Sequence, residues 1–450
     1  MTKFIHFSDA HLGHQQYNLK RRRDDMYMTY RTTIKEAIDE NVDFAIFSGD
    51  FFHRKDVDAR ALKDAEKGLE ELGDENIPLV AVEGNHDSSI YKKDLTWLEY
   101  LHAKGSLILL EANLLGEGQV FEKHDEENPG ASSGFVDIGN VRIFGLQYLG
   151  QRTSEYLSTV GEGIQEVNEK FGKPEFTILV GHFGIEGHIP GMVGGVSYND
   201  LADLEEVVDY LALGHLHKNY SHGDWVFNPG SLEAHSVREA NWDLGYYLVD
   251  IDEEEPTVDH IYSKRRPYFS IKFQVDSYET PRELRNGLAQ EIEDKKPEVE
   301  NVQKRENFKK KDQKREPIID FRLRGLLQFN RTQLDVDELK SVIEDTVKPL
   351  KVRVNDATES KEVPEILREF EGEESIRDEE GRIDKERLEH AVFKKLVGKD
   401  SRYKENKKEV ADFLKSVKMN LQAGESYESI AEEIKQKRRG LFPIQEGDNR

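Results

Sequence analysis

The side chains of this chain that could do chemistry follow short apolar stretches, which are typical of buried β-strands. Five such stretches end in Gly or Ser and lead directly to Asp, Asn or His. The five ends read Ser8-Asp9-Ala10-His11, Gly49-Asp50, Gly84-Asn85-His86-Asp87, Gly181-His182 and Gly214-His215-Leu216-His217. Open α/β folds place ligands at the carboxyl ends of their strands, so we expect the five ends to converge on one point.

The chemistry that these ends could support is metal binding. Two carboxylates, one amide and four imidazoles are candidate ligands, namely Asp9, His11, Asp50, Asn85, His182, His215 and His217. Seven groups exceed the about four to six ligands of one divalent ion, so they favour two ions that share Asp50. Mixed oxygen and nitrogen ligands suit manganese, iron or zinc better than magnesium or calcium. Phosphate ester hydrolysis is the reaction that most needs such a pair.

A structural role is the alternative for each of these residues taken singly. A lone histidine after a strand is more often a hydrogen-bonded structural residue than a ligand. The repetition of the same pattern at five strand ends favours a dinuclear metal site.

The elements that must position these residues alternate between short strands and amphipathic helices over residues 1–265, which predicts an α/β domain. The basic stretch Lys20-Arg21-Arg22-Arg23 is expected to form a loop before a helix from Met26 to Glu40. Residues 266–355 predict a smaller α/β domain. A charged linker is expected over 356–385, and helices over 386–450. The basic stretch 304–315 could contact phosphates or be a solvated loop.

Composition limits the class of protein. The 450 residues carry 89 acidic and 64 basic side chains, a formal net charge of −25, and no cysteine. This charge is typical of proteins from a high-salt cytoplasm, with an ordinary acidic protein as the alternative. The absence of cysteine excludes disulfides and thiolate metal sites. With no apolar run of ~18 residues and no signal peptide, we expect a cytoplasmic protein that does not enter membranes.

Over about residues 1–235, five motifs taken in order resemble those of the calcineurin-like metallophosphoesterase superfamily. They are Asp-x-His, Gly-Asp, Gly-Asn-His, Gly-His and Gly-His-x-His. Four longer stretches are similar to the DNA double-strand-break repair nucleases within it: Phe7-Ser8-Asp9-Ala10-His11-Leu12-Gly13, Ser48-Gly49-Asp50-Phe51-Phe52-His53, Gly214-His215-Leu216-His217 and Asn228-Pro229-Gly230-Ser231-Leu232-Glu233. The resemblance implies an α/β fold: a metallophosphoesterase β-sandwich flanked by helices, a smaller α/β capping domain and C-terminal partner-binding helices.

The resemblance also implies roles for individual residues. Two Mn²⁺ ions per subunit would be bound, one by Asp9, His11, Asp50 and His217, the other by Asp50, Asn85, His182 and His215. His86 matches a catalytic histidine that stabilises or protonates the leaving oxygen. His53 matches a second catalytic histidine, which contacts the DNA backbone and helps to set exonuclease action.

The partners implied are DNA, at duplex ends and single-stranded regions, and an SMC-like coiled-coil ATPase, in a nucleoid-associated heterotetramer built on a homodimer. Arg21, Arg22 and Arg23 are the expected DNA contacts, and Leu98 and Leu101 the expected dimer contacts. An apolar stripe would dock the ATPase, unless it packs within its own domain. The stripe consists of Val410, Phe413, Leu414 and Val417.

Three functions compete at this stage. The first is an Mn²⁺-dependent nuclease with double-strand exonuclease and single-strand endonuclease activity. The second is a phosphatase or phosphodiesterase of the same superfamily, although the Asp-Arg-Gly of its protein phosphatases is replaced here by Phe51-Phe52-His53-Arg54. The third is a scaffold that bridges DNA ends, which the intact ligand set disfavours. The net charge of −25 is unusual for a nuclease.

Overall fold

The structure is a computed structural model that describes residues 2–88, 95–116, 118–128, 130–189, 195–251, 256–305, 315–360, 384–400, 403, 405–422 and 427–441. Contacts divide the chain into two compact units that alternate along the sequence. One unit comprises Met1–Ile271, Ala289–Phe321 and Lys340–Asn355, and the other Lys272–Leu288, Arg322–Leu339 and Asp356–Arg450. The predicted domain boundaries at 265 and 355 remain predictions. Most of the predicted linker and of the basic stretch 304–315 lies outside the described residues.

The first unit contains two six-stranded sheets. The first sheet has the spatial order β12 (Pro256–Tyr262), β11 (Gly245–Ile251), β1 (Thr2–Phe7), β2 (Phe44–Phe47), β3 (Leu79–Ala81) and β4 (Ile108–Leu109). Strands β1 to β4 are parallel, whereas β11 runs antiparallel to β1. The carboxyl ends of β1, β2 and β3 therefore meet at one edge.

The second sheet has the spatial order β5 (Phe135–Ile138), β6 (Val141–Leu146), β7 (Phe176–His182), β8 (Tyr210–Gly214), β10 (Val226–Asn228) and β9 (Tyr220–His222). Strands β6, β7, β8 and β10 are parallel. The two remaining predicted site-bearing strands, β7 and β8, are thus neighbours that end together.

Alternating side chains pack the two sheets face to face. Phe4, Phe44 and Val80 of the first sheet form one apolar cluster with Ile178 and Tyr210 of the second. The intervening residues of the first sheet, such as Ile5 and Phe47, point the other way, as the two-residue period of a strand requires. The predicted β-sandwich flanked by helices is confirmed.

Helices cover the outer faces of both sheets. The first sheet packs against α1 (Lys20–Asp39), α2 (Ala59–Asp74) and α3 (Trp97–Ala103), and the second against α4 (Thr153–Phe171) and α5 (Ala202–Glu205). The prediction of a basic loop at residues 20–23 is wrong, because α1 begins at Lys20. Lys and Arg are good helix formers, and their positive charge did not require a loop.

The elements after residue 266 include both strands and helices. A three-stranded sheet has the order β13 (Tyr268–Gln274), β14 (Ile318–Leu327) and β15 (Lys351–Ser360), accompanied by α6 (Pro281–Arg305) and α7 (Val336–Val347). In the ranges that the structure describes after residue 384, the chain forms the helices α8 (Lys385–Lys399), α9 (Lys407–Gln422) and α10 (Tyr427–Leu441). Within the described ranges, no helix is both long and apolar enough to span a bilayer.

Candidate metal centre

The five strand ends bring all seven predicted ligands together. Asp9 and His11 follow β1, Asp50 follows β2 and Asn85 follows β3, while His182 ends β7 and the last two histidines follow β8. Ligand atoms of Asp9, His11 and His217 lie within 4.8 Å of one another, as do those of Asp9, Asp50 and His182. Such spacing is what ligands of shared cations require.

The first group of ligand atoms surrounds His11. Its Nε2 lies 3.1 Å from His217 Nε2, 3.6 Å from Asp50 Oδ2 and 3.8 Å from Asp9 Oδ1. Asp9 Oδ1 is buried and has no hydrogen-bond partner among the described residues. Because a buried carboxylate oxygen without a partner is costly, the arrangement fits a cation between these four side chains.

The second group surrounds His182. Its Nε2 lies 3.4 Å from Asp50 Oδ2 and 3.3 Å from Asn85 Oδ1, and Asn85 Oδ1 lies 3.0 Å from His215 Nδ1. Asp50 Oδ2 therefore borders both groups. This is the position that a carboxylate shared by two ions must take.

The backbone at the ligands is held in an unusual conformation. Asp9, His11, Asp50 and His215 have φ values of 52°, 42°, 60° and 85°. Residues other than glycine rarely adopt this left-handed backbone conformation, and such strain persists only where the surrounding structure imposes it. At Gly84, an added Cβ would lie 2.1 Å from Asp50 Oδ1. This contact explains why the loop after β3 needs glycine there.

Hydrogen bonds orient the ligands from behind. His182 Nδ1 lies 2.6 Å from the carbonyl oxygen of Ser48, so Nδ1 carries the proton and Nε2 faces Asp50. His217 Nδ1 lies 3.4 Å from Glu239 Oε2. Partners of this kind fix the ring orientation of metal-binding histidines.

Asp87 fixes two of the loops relative to each other. Its carboxylate accepts hydrogen bonds from the backbone N–H groups of Phe51, Phe52 and Gly84. It therefore joins the loop after β2 to the loop after β3, and so places Asp50 next to Asn85.

Protonation of the centre is set by burial and by charge. Burial acts to raise the pKa of Asp50, but His182 and His11 outweigh it and hold this pKa well below its usual range. Burial acts to lower the pKa of His182, yet Asp50 and Asp9 raise it to about 9. Burial lowers the pKa of His215 to about 4. A cation must displace the proton of His182, so metal affinity should weaken as the pH falls.

The two predicted catalytic histidines lie beside the ligands. His86 donates its backbone N–H to Asp50 Oδ1 at 2.8 Å, and its Nε2 lies 4.0 Å from Asp50 Oδ2. Its Nδ1 lies 2.8 Å from the carbonyl oxygen of His53 and must carry the proton, since a carbonyl only accepts. His86 Nε2 is thus the nitrogen that can exchange a proton. Burial lowers the pKa of His53 to about 4, so this imidazole is neutral near pH 7.

The predicted arginine contacts need one correction. Arg22 is fully buried, and it bonds to Gln16, Asp25, Glu233 and the carbonyl oxygen of Ala234. It therefore cannot reach a DNA backbone, because its guanidinium is held in an internal polar network. Arg21 pairs with Glu316, and Arg23 pairs with Asp58.

The predicted dimer contacts also need correction. Leu98 and Leu101 are fully buried in the apolar cluster between the first sheet and its helices. Their helical spacing marks the face that packs on the sheet of the same chain. Leu95 and Tyr100, in contrast, are 69% and 37% exposed.

The C-terminal stripe is only partly covered. Leu414 of α9 is 38% exposed, and Val410, Phe413 and Val417 have intermediate exposure. Their assignment to partner binding remains a prediction.

Sequence reasoning overlooked residues around the centre. Asp87 stands within the Gly-Asn-His-Asp stretch, which was a usable signal. Glu239 lies in a short 3₁₀ turn, Val237–Asn241, and nothing in the sequence connects it with His217. His14 and His235, whose Nδ1 atoms are 2.9 Å apart, are 221 positions apart in the chain.

Comparisons with known proteins agree with this geometry. Residues 2–219 match the family described as calcineurin-like phosphoesterase. The chain is 28% identical over 285 residues to the DNA double-strand break repair protein Mre11 of Sulfolobus acidocaldarius, covering 62% of this chain and 68% of that protein. It is 31% identical over 251 residues to the Mre11 protein of Archaeoglobus fulgidus, covering 53% of this chain and 52% of that protein.

A shorter match has higher identity. Over 105 residues the chain is 37% identical to the Mre11 protein of Halobacterium salinarum, covering 23% of this chain and 26% of that protein. The chain therefore spans between about a quarter and about two thirds of these relatives. From the converging strand ends and these matches together, we conclude that residues 2–219 are similar to the calcineurin-like phosphoesterase family and that the chain is similar to Mre11 proteins.

Proposed function

We propose that the chain is an Mn²⁺-dependent DNA nuclease that processes ends in double-strand-break repair, as an exonuclease on duplex DNA and an endonuclease on single strands. The observation that carries this proposal is the shared position of Asp50, whose Oδ2 lies 3.6 Å from His11 Nε2 and 3.4 Å from His182 Nε2. The relatives are DNA double-strand break repair proteins, which supports DNA as the substrate.

The ligand assignment follows the two groups of atoms. One ion would be held by Asp9, His11, Asp50 and His217, and the other by Asp50, Asn85, His182 and His215. Two such ions stabilise the attacking and leaving oxygens of an in-line displacement at phosphorus. Mn²⁺ accepts this mixture of oxygen and nitrogen ligands.

The side chains beside the ligands complete the mechanism. His86 Nε2 protonates the leaving oxygen, and its Nδ1–H bond to the carbonyl oxygen of His53 holds the ring in place. The side chain of His86 is 37% exposed, so it recovers its proton from solvent between turnovers. His53 contacts the DNA backbone next to the scissile bond.

Partners are proposed on the same basis. The C-terminal stripe on α9 would bind an SMC-like coiled-coil ATPase, with two copies of this chain forming the dimer of a heterotetramer. Leu95 and Tyr100 replace Leu98 and Leu101 as dimer contacts, because only exposed side chains can bury surface against a second copy. With a net charge of −25, DNA binding in a high-salt cytoplasm would rest on metal–phosphate contacts more than on Lys and Arg.

The experiment compares two substrates. Purified protein with Mn²⁺ is given linear duplex DNA or p-nitrophenyl phosphate, and turnover is measured for each. Faster cleavage of DNA supports the nuclease. Turnover of p-nitrophenyl phosphate without DNA cleavage would instead establish a phosphatase, and DNA binding without either reaction would establish a scaffold.

Metal content is tested in parallel. Asp50→Ala should lose both Mn²⁺ ions and all cleavage, because Asp50 borders both ligand groups. The matched control is Asp39→Asn, an exposed carboxylate that pairs with Lys35 on α1. Full Mn²⁺ occupancy in Asp50→Ala would contradict the assignment.

A further inference from the structure

A second group of histidines lies against the dinuclear centre. Ligand nitrogens of His11, His53 and His235 lie within 4.8 Å of one another. The rings of His11 and His235 are 4.5 Å apart between centroids, and those of His11 and His53 are 5.6 Å apart. Neither His53 nor His235 belongs to the seven ligands described above.

Each of these three rings has one nitrogen without a partner. His11 Nδ1, His53 Nδ1 and His235 Nε2 are buried and form no hydrogen bond with any described residue. The other nitrogen of His11 already faces Asp50, and that of His235 lies 2.9 Å from His14 Nδ1. Unpaired buried nitrogens are costly, so three neighbouring rings that each carry one call for a ligand.

We propose that His11, His53 and His235, with one nitrogen each, bind a third divalent cation, next to but distinct from the dinuclear pair. Three imidazoles around an open fourth position form a typical zinc site. A site with nitrogen ligands alone selects Zn²⁺ over Mn²⁺, which prefers carboxylates and water. His11, bound through both nitrogens, releases its ring proton to solvent.

The surroundings also support a cation there. The nearly parallel rings of His14 and His235 and their Nδ1 contact let His14 orient His235, as second partners do for metal-binding histidines.

The site has a consequence for the proposed nuclease. His53 is the residue assigned to DNA contact, and the carbonyl oxygen of the same residue accepts from His86 Nδ1. Zinc at the third site would fix the His53 side chain and thereby couple substrate contact to zinc supply. The two Mn²⁺ positions would not need to change.

The test is the number of bound ions. The full-length protein is saturated with Zn²⁺, freed of excess by gel filtration and analysed by inductively coupled plasma mass spectrometry. We expect three ions per chain in the parent, two in His235→Phe, and one in Asp50→Ala. His390→Gln, which removes a partly exposed imidazole on α8 that pairs with Asp412, should keep three.

The result separates this inference from the proposed function. Two zinc ions in the parent, or three in His235→Phe, would overturn the third site whatever the substrate proves to be. If His235→Phe fails to fold by circular dichroism, His53→Phe takes its place and should likewise bind two. Retention of three by that variant would also refute the site. DNA cleavage with Mn²⁺ alone tests the nuclease independently.

Discussion

At the scale of single residues, the two carboxylate oxygens of Asp50 make different contacts. Oδ1 accepts the backbone N–H of His86, while Oδ2 borders the ligand atoms of His11 and His182. One carboxylate thus fixes the loop that carries the proposed acid and also joins the two metal positions. Replacement of Asp50 would therefore impair both metal binding and proton donation, whereas replacement of His86 would impair proton donation alone.

His86→Ala should therefore separate cleavage from metal binding. Loss of a positioned acid should lower single-turnover cleavage of DNA by about 10²–10⁴-fold while Mn²⁺ and DNA still bind. Calorimetric Mn²⁺ titration and cleavage of labelled DNA measure the two effects. Cleavage within a few-fold of the parent, or loss of metal, would show that His86 is a structural residue.

His6 should make stability sensitive to acid. It is fully buried in β1, beside Ser48, Tyr210 and the carbonyl oxygen of Leu213, and burial lowers its pKa from 6.5 to about 3. The folded protein thus binds fewer protons than the unfolded chain between these pH values. The contribution of neutral His6 to the free energy of unfolding is complete above pH 6.5. It is lost as the pH falls toward 3 and amounts to at most roughly 5 kcal/mol.

Urea unfolding of His6→Gln over this pH range checks that expectation. The variant should be less stable at pH 7 and lose less stability on acidification than the parent. His390→Gln, which replaces a partly exposed histidine, should follow the parent curve. Parallel curves for His6→Gln and the parent would contradict the role of His6.

At the scale of elements, the convergence of the candidate metal ligands could be predicted from the sequence because they lie at the ends of parallel strands. Apolar stretches followed by Asp, Asn or His predicted five strand ends, and the edges of β1–β3 and β7–β8 bring those residues together. Pairing order was not needed, because every site-bearing strand belongs to a parallel set. The neighbouring histidines His14 and His235 could not be predicted, since neither follows such a strand and 221 positions separate them.

Periodicity also identified apolar faces without identifying what covers them. In α3, the spacing of Leu98 and Leu101 fits a dimer contact and a core contact equally well, and the structure shows the core contact. The charge of residues 20–23 was equally ambiguous, because Arg22 points inward to Asp25 and Glu233. Burial of a charged side chain depends on partners that lie far away in the chain.

The loop after β3 should tolerate no side chain at Gly84. A Cβ there would lie 2.3 Å from the backbone nitrogen of Asp50, so Gly84→Ala must displace one of the two loops. We expect weaker Mn²⁺ binding by calorimetry and a lower melting temperature. In the control Gly73→Ala, near the end of α2, the Cβ meets nothing within 4 Å and should leave metal affinity unchanged. Equal affinities in both variants would exclude the steric explanation.

At the scale of the whole molecule, the C-terminal helices are expected to recruit the ATPase. Helix α9 packs with α8 and α10 and still exposes 38% of Leu414 and 58% of Met419. Leu414→Glu in the full chain, and truncation after about residue 375, should abolish ATPase capture in a pull-down and leave Mn²⁺-dependent cleavage intact. Met28→Glu, on the 37% exposed Met28 of α1, is the matched control. ATPase capture by Leu414→Glu and by the truncated chain would refute this docking surface.

The central position of β1 in its sheet affects how the chain folds during synthesis. Ile5 pairs with Ala45 on one side and with Leu248 on the other, and 243 positions separate Ile5 from Leu248. At roughly 5–20 residues per second, a ribosome needs about 12–50 s to cover that distance. During this interval one edge of β1 has no partner strand, and an unpaired edge invites pairing with other chains. The nascent protein therefore passes through a period of aggregation risk that ends only when β11 leaves the ribosome.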